Sequence, residues 1–381
     1  MKNWAGCALF PWLTLVAACG QLTTPPAPDG FEVTTARLAA TFADSARANG
    51  VIGAQLAVSV LGQPVWTSVF GTDSPGVPMT EDILLGTGSI SKMFSAVAAL
   101  RLVDRGQISF TDTLGRWFPD AANLPADLQL RHLFWHQSGL PEYGAAAGYA
   151  PAVLADLSRT WTARELLAFV GPPTFAPGAS WYASNTDRVL LAAIGAMETG
   201  LPHGEYLRRE LFAGGGGEVW SPGQADPVTP RIGTHWAQNA AGQTINYSQA
   251  VFGPSLFTSR LETYITAREL VFFARRLFEG DLLSAQARAS MLTFVPADGG
   301  VPGQTGGGIG VRRFNYGGRT MYGNSGATTN SSAMYLYDPG TGVIVSMNTN
   351  QAGELHRNSH FTVVPALVIE ANRFVEASRM R

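Results

Sequence analysis

Apolar and polar positions follow two rhythms along this chain. Between residues 34 and 48 apolar side chains recur at helical spacing and stop at Gly50, which predicts a helix. Residues 55–60 and 65–70 flank Leu61-Gly62-Gln63-Pro64, the pattern of two strands joined as a hairpin. A helical stripe follows in Ile90, Met93, Phe94, Val97 and Leu100, with Gly106 as its stop. From Ser109 to about Pro254 the pattern is mostly helical with long loops. Residues 166–170 and 189–197 are apolar helical segments there, and 213–217 and 221–242 read as loops. The glycine run at 213–217 is not followed by Gly-Lys-Thr, so a flexible loop is a better reading than a phosphate cradle. Strand character returns at 309–316 and 319–322 around Gly317-Gly318, and at 332–337 and 343–348 around Asp338-Pro339-Gly340-Thr341-Gly342. An amphipathic helix is predicted over 365–379.

Strands near both ends with helices between them predict an α/β (α+β) fold in which one antiparallel sheet is assembled from the two ends of the chain. Residues 32–88 and 255–381 would form that sheet domain, and 89–254 a mostly helical insertion. A length of 381 residues is sufficient for both and for a large core.

Lys2 followed by an apolar run through Leu9, Phe10, Trp12, Leu13, Leu15 and Val16 reads as an export signal, too short for a permanent membrane span. Val16-Ala17-Ala18-Cys19 resembles a bacterial lipobox. Residues 1–19 would then be removed up to a lipidated Cys19, and the Pro- and Thr-rich stretch 20–31 would be a tether. A plain signal peptide cut near Ala17-Ala18 is the other reading. The expected location is periplasmic or cell-surface, anchored to a membrane by lipid. Both cysteines, Cys7 and Cys19, fall in this leader, so no disulfide and no Cys/His metal framework is expected, and no cofactor. A net charge of −2 with no basic cluster argues against nucleic acid as a partner.

Composition changes the picture most at Gly88-Ser89-Ile90-Ser91-Lys92. Lys2 and Lys92 are the only lysines in the sequence, so beyond the leader arginine serves as every cation but one. Arginine stays protonated at any relevant pH, whereas a desolvated lysine can lose its proton and act as a base. In a helix that begins near Ser89, positions i and i+3 share a face, which lets hydroxyl and amine touch. The helix dipole would favour the developing alkoxide. The plainer alternative is a capping Ser89 with Lys92 solvated in the first turn.

The surrounding blocks extend this. Gly88-Ser89-Ile90-Ser91-Lys92 resembles the Ser-x-x-Lys box of the serine β-lactamase and penicillin-binding-protein superfamily, in the branch of class C β-lactamases, D-alanyl-D-alanine carboxypeptidases and related esterases. Residues 102–108, Asp112-Thr113-Leu114, the block 130–141 with His132 and His136, Phe175-Ala176-Pro177-Gly178, Ser184-Asn185-Thr186 and Tyr337-Asp338-Pro339 fall in the family's order. The resemblance implies an antiparallel sheet flanked by helices with the active site in a crevice beside a helical domain. It implies a structural role for His132 and His136, and an oxyanion hole from the backbone N–H groups of Ser89 and Ala327.

Two motifs depart from the pattern. Ala183 stands where the family's Tyr-x-Asn tyrosine is expected, with Tyr182 one residue early and Asn185 in place. A one-residue shift re-aims a side chain, so Tyr182 is either brought into the site by a local irregularity or is a core residue. The third motif reads Asn324-Ser325-Gly326, with Asn324 where a lysine or histidine is usual. Loss of that charge favours a neutral ester or amide unless Arg260, Arg312 or Arg313 replaces it. The expected chemistry is attack by Ser89 with Lys92 as base and Tyr182 assisting, and with Asn185, Asn324, Ser325 and Gly326 against a small-molecule or peptide substrate. The alternative is a degenerate lipoprotein that binds cell-wall fragments or a partner without turnover.

Overall fold

A computed structural model of the chain describes residues 30–156, 158–212, 219–221, 232–234, 236–238, 243–246, 261–297, 301–328, 331–351 and 354–380. The expected leader with Cys19, the expected tether up to residue 29, the glycine run 213–217, most of 221–242, and Arg260 lie outside the described residues.

Helix α1 (Phe31–Ala48) precedes strands β1 (Gly53–Ser59), β2 (Trp66–Ser74), β3 (Val77–Pro78) and β4 (Leu85–Gly86). A 3₁₀ turn, Gly88–Ile90, leads into α2 (Ser91–Asp104). Short helices α3 (Leu130–Phe134), α4 (Tyr149–Ala155) and α5 (Ala163–Leu167) are followed by α6 (Asn185–Thr199) and α7 (His203–Leu207), which continues as a π-helical turn, Arg208–Phe212. Beyond β5 (Val219–Trp220), β6 (Trp236–Gln238), β7 (Thr244–Asn246) and β8 (Tyr264–Ile265) come α8 (Ala267–Phe278) and α9 (Ala285–Met291). Strands β9 (Gln304–Gly307), β10 (Arg312–Tyr316), β11 (Arg319–Ala327), β12 (Ser332–Asp338) and β13 (Val343–Thr349) precede α10 (Glu354–Arg379).

The large sheet is antiparallel in the order β3-β2-β1-β13-β12-β11-β10-β9, so β1 from the first part of the chain pairs with β13 from the last. Strand alternation supplies both of its faces. Leu56, Val58, Met334, Leu336, Val345 and Met347 pack with Leu38 and Phe42 of α1 and Val364 and Leu367 of α10. Ala57, Tyr335, Tyr337 and Ile344 point the other way, into a core that runs through α2 to Leu190 and Ile194 of α6. Helix α2 is buried from Ser91 through Leu100. Its position fixes the serine beside the sheet.

Four sequence expectations shift. The last helix starts at Glu354 and carries Pro365 inside it. Proline suits a first turn, but here Phe361, Val363 and Val364 are buried with Leu367, so packing holds the helix through the missing N–H. The strand expected over 309–316 starts only at Arg312, because Gly310 turns the chain at φ 66°, and 304–307 form a separate strand whose glycines conceal any alternation. The strand expected over 319–322 runs on to Ala327 through Gly323 and Gly326. The helix expected over 166–170 lies earlier, where Thr162 and Glu165 form a capping box. The Gly317-Gly318 turn holds: both residues have positive φ, 58° and 79°, as a two-residue hairpin of this hand requires.

Candidate active site

The turn that carries Ser89 is pressed onto β11. Gly88 has φ 53°, and a Cβ there would lie 2.5 Å from the Ala327 nitrogen; its own N–H donates to Glu262 Oε1 at 3.0 Å. A Cβ on Gly326 would lie 2.1 Å from the Thr87 carbonyl oxygen and 2.4 Å from the Ser89 nitrogen. Only glycine allows backbone against backbone this closely. As a result Ser89 and Ala327 together line two adjoining cavities of about 320 Å³ and 230 Å³.

Lys92 Nζ lies 2.8 Å from Ser89 Oγ and 3.2 Å from Asn185 Oδ1. Its ammonium form is penalised first by burial, then by the nearby guanidinium charges of Arg188 and Arg312. Glu142 and Asp187 oppose this, and the amine is lowered to about 7. Near neutral pH a large fraction is therefore the free amine, able to accept the serine proton. The solvated-lysine alternative does not hold, since Lys92 is 7% exposed.

Asn185 opens α6 directly after Ser184, whose Oγ accepts the Thr186 N–H at 3.0 Å as the N-cap. The Asn185 N–H donates to Glu142 Oε2 at 2.7 Å. The residue before the cap, Ala183, lines a small third cavity with Ser89, Lys92, His136, Trp181 and Asn324. Tyr182 lines none of these three cavities, and it is 47% exposed. The backbone explains this: the Tyr182 N–H donates to the His136 carbonyl at 2.8 Å and its carbonyl accepts from Ser184 N at 2.7 Å, a tight bend that turns position 182 outward and position 183 inward.

The third motif also differs in use. Asn324 Nδ2 donates to the Gly310 carbonyl at 2.9 Å and Oδ1 accepts the Ser325 N–H at 2.8 Å, so both ends of the amide brace β11 against the preceding bend. Ser325 and Gly326 line the 230 Å³ cavity. The charge missing at 324 is present nearby. Arg312 of β10, opposite Gly323, lines both the second and third cavities and donates to Gln304 Oε1 at 2.7 Å. No carboxylate pairs with Arg312 among the described residues, and burial pushes it down to about 10. Arg313, one position on, is tied to Thr305 at 3.1 Å instead. Of the three arginines that could replace the charge missing at 324, Arg312 is the one that lines these cavities, Arg313 does not, and Arg260 lies outside the described residues.

Further side chains around Ser89 were not anticipated as site residues. Glu142 and Arg188 line the 320 Å³ cavity with Tyr143 and Tyr149; the first of these follows the 130–141 block and the second sits one turn into α6. His136, expected to be structural, faces Asp187 with Nδ1 at 2.9 Å from Oδ2, and Ser138 Oγ donates to Oδ1 at 2.6 Å. Asp187 is fully buried, and burial pushes its carboxyl up from the usual range in spite of both donors. Among the described residues no group of three His, Cys, Asp or Glu side chains is placed to hold a metal ion.

The family model described as Beta-lactamase matches residues 38–364. Esterase EstB of Burkholderia gladioli is 32% identical over 184 residues, 44% of this chain and 46% of that protein. Penicillin-binding protein 4* of Bacillus subtilis is 28% identical over 141 residues, 35% of this chain and 30% of that protein. The chain thus aligns with less than half the length of either. The crystal structure of D-amino acid amidase from Ochrobactrum anthropi SV3 superposes with a TM-score of 0.76 at 25% identity, covering 91% of this chain and 98% of that one. D-stereospecific amidohydrolase from a Streptomyces species gives 0.73 at 26% over 90% and 98%. With residues 38–364 matched and the Ser89–Lys92 pair seated between sheet and helices, this chain belongs to the β-lactamase family.

Proposed function

We propose that the chain is an exported serine hydrolase that forms an acyl-enzyme on Ser89 with an ester or amide substrate. The observation that carries this is the 2.8 Å contact between Ser89 Oγ and a buried amine lowered to about 7. Ser89 Oγ attacks the substrate carbonyl while its proton passes to Lys92. The oxyanion is held by the N–H groups of Ser89 and Ala327. Collapse breaks the bond to the leaving group, which takes the proton from Lys92, and water then hydrolyses the ester on Ser89. The relatives named as an esterase, an amidase and an amidohydrolase support an acyl-transfer chemistry of this class. Export and a lipid anchor on Cys19 belong to the same proposal and rest on the leader sequence alone.

The decisive experiment is the intact mass of the leaderless protein after exposure to a fluorophosphonate and, separately, to a penicillin, with Ser89→Ala alongside. An adduct on the wild type that is absent from Ser89→Ala supports the nucleophile. A penicillin adduct supports a cleft of that shape, and the fluorophosphonate alone an esterase-like one. Ala183 in the tyrosine position favours a second reading, a binding lipoprotein without turnover; sustained hydrolysis of nitrophenyl acetate would exclude it, and absence of any adduct would favour it.

A further inference from the structure

The small cavity at Ala183 contains a titratable group that the proposed chemistry has not used. His136 forms part of its wall with Ser89, Lys92 and Ala183. Histidine and alanine are held together there by the backbone, through the Tyr182 N–H on the His136 carbonyl at 2.8 Å. Nδ1 is committed to Asp187 at 2.9 Å. Asp187 also accepts from Ser138, so it acts as an acceptor twice and leaves the proton on Nδ1. That tautomer makes Nε2 the lone-pair nitrogen. Among the described residues Nε2 has no hydrogen-bond partner, and the side chain keeps 12% of its surface open. His136 also has φ 55°, an uncommon conformation for a residue other than glycine, maintained by this loop.

We propose that His136, oriented by Asp187, is the acid–base residue of deacylation in the space where the family's tyrosine is absent. This rests on the acyl-enzyme reading above. Nε2 takes a proton from the water whose oxygen bonds to the acyl carbon. As the bond between that carbon and Ser89 Oγ breaks, the imidazolium returns the proton to Oγ, so the acid leaves and serine and imidazole are restored. Lys92 serves acylation, and His136 serves hydrolysis of the ester.

His136→Asn tests this cleanly. The asparagine amide can still donate to Asp187 from near the Nδ1 position, and asparagine tolerates a left-handed φ, so the loop should keep its shape. With a nitrophenyl ester, the first-turnover burst is expected to persist while steady-state turnover falls by about 10²-fold to 10⁴-fold. The acyl adduct on Ser89 should then accumulate in quenched intact-mass spectra. In His136→Gly, whose φ glycine adopts freely, added imidazole should restore turnover. Turnover within threefold of wild type in His136→Asn would overturn the proposal. So would equal loss of burst and turnover that imidazole does not rescue, the mark of a structural role. A wild type that never acylates fails at the earlier step, where it removes the acyl-enzyme reading itself.

Discussion

Lys92 carries two predictions at the scale of one residue. Its amine is lowered from 10.5 to about 7, so the acylation rate should fall on the acid side with an apparent pKa near 7, read from the pH profile of the nitrophenyl ester burst. Lys92→Arg should lose the burst as fully as Lys92→Ala, because arginine brings a charge and no base. Linkage gives the second prediction. In the unfolded chain the amine holds its proton up to about 10.5, whereas in the native protein it gives it up at about 7. Between those values the unfolded state binds more protons, so stability should rise with pH. The slope from this group is about 1.4 kcal/mol per pH unit, lost below 7 where both states are protonated. Lys92→Met should remove the rise, so its urea midpoint should exceed the wild-type value most at pH 6 and least at pH 10. A parallel pH dependence in the two proteins would show that the amine is solvated.

At the scale of elements, the contact of the 3₁₀ turn with β11 is the feature most open to test. Gly326→Ala must push a methyl group into the Thr87 carbonyl and the Ser89 nitrogen. The sheet can yield only by moving β11 away from the turn, which separates the two oxyanion donors. Acylation should fall by about 10²-fold to 10³-fold, with the circular dichroism spectrum retained. Wild-type acylation in that variant would mean that Ala327 N–H takes no part. Hairpin register belongs to this scale too. The two-residue turn at Gly317-Gly318 pairs Tyr316 with Arg319, and counting outward sets Arg312 opposite Gly323 beside the altered motif. The position of the replacement cation was therefore legible in the sequence once the turn type was accepted. Its orientation was not, because Arg312 and Arg313 look alike in sequence and face opposite sides of the strand.

Across the whole molecule, the buried serine helix is tied down at its far end. Glu210, in the π-helical turn, meets Arg101 at 3.1 Å, Arg105 at 2.8 Å and Arg209 at 3.2 Å, with its own side chain 1% exposed. Glu210→Gln should cost about 3 kcal/mol, measured as a lower urea midpoint, because it removes the buried carboxylate on which three arginines converge. Labelling of Ser89 should survive at low denaturant, since the network lies at the opposite end of α2. A midpoint unchanged from wild type would show that solvent already screens the arginines.

What the chain settled by itself was local or repetitive. Periodicity located the helix at 34–48, the first hairpin and the late strands, and the isolation of one lysine among arginines singled out Ser89 and Lys92 before any fold was known. Each of these depends on neighbours within a few residues, where spacing and steric preference are readable. Tertiary structure decided the rest. Whether Tyr182 or Ala183 faces the serine depends on a bend held by the carbonyl of His136, far away in sequence. Glu142, Arg188 and Arg312 join the site because a loop, a helix terminus and strand β10 converge on one turn. The amine of Lys92 is lowered to about 7 because that convergence removes its water, and burial is a property of the assembled molecule.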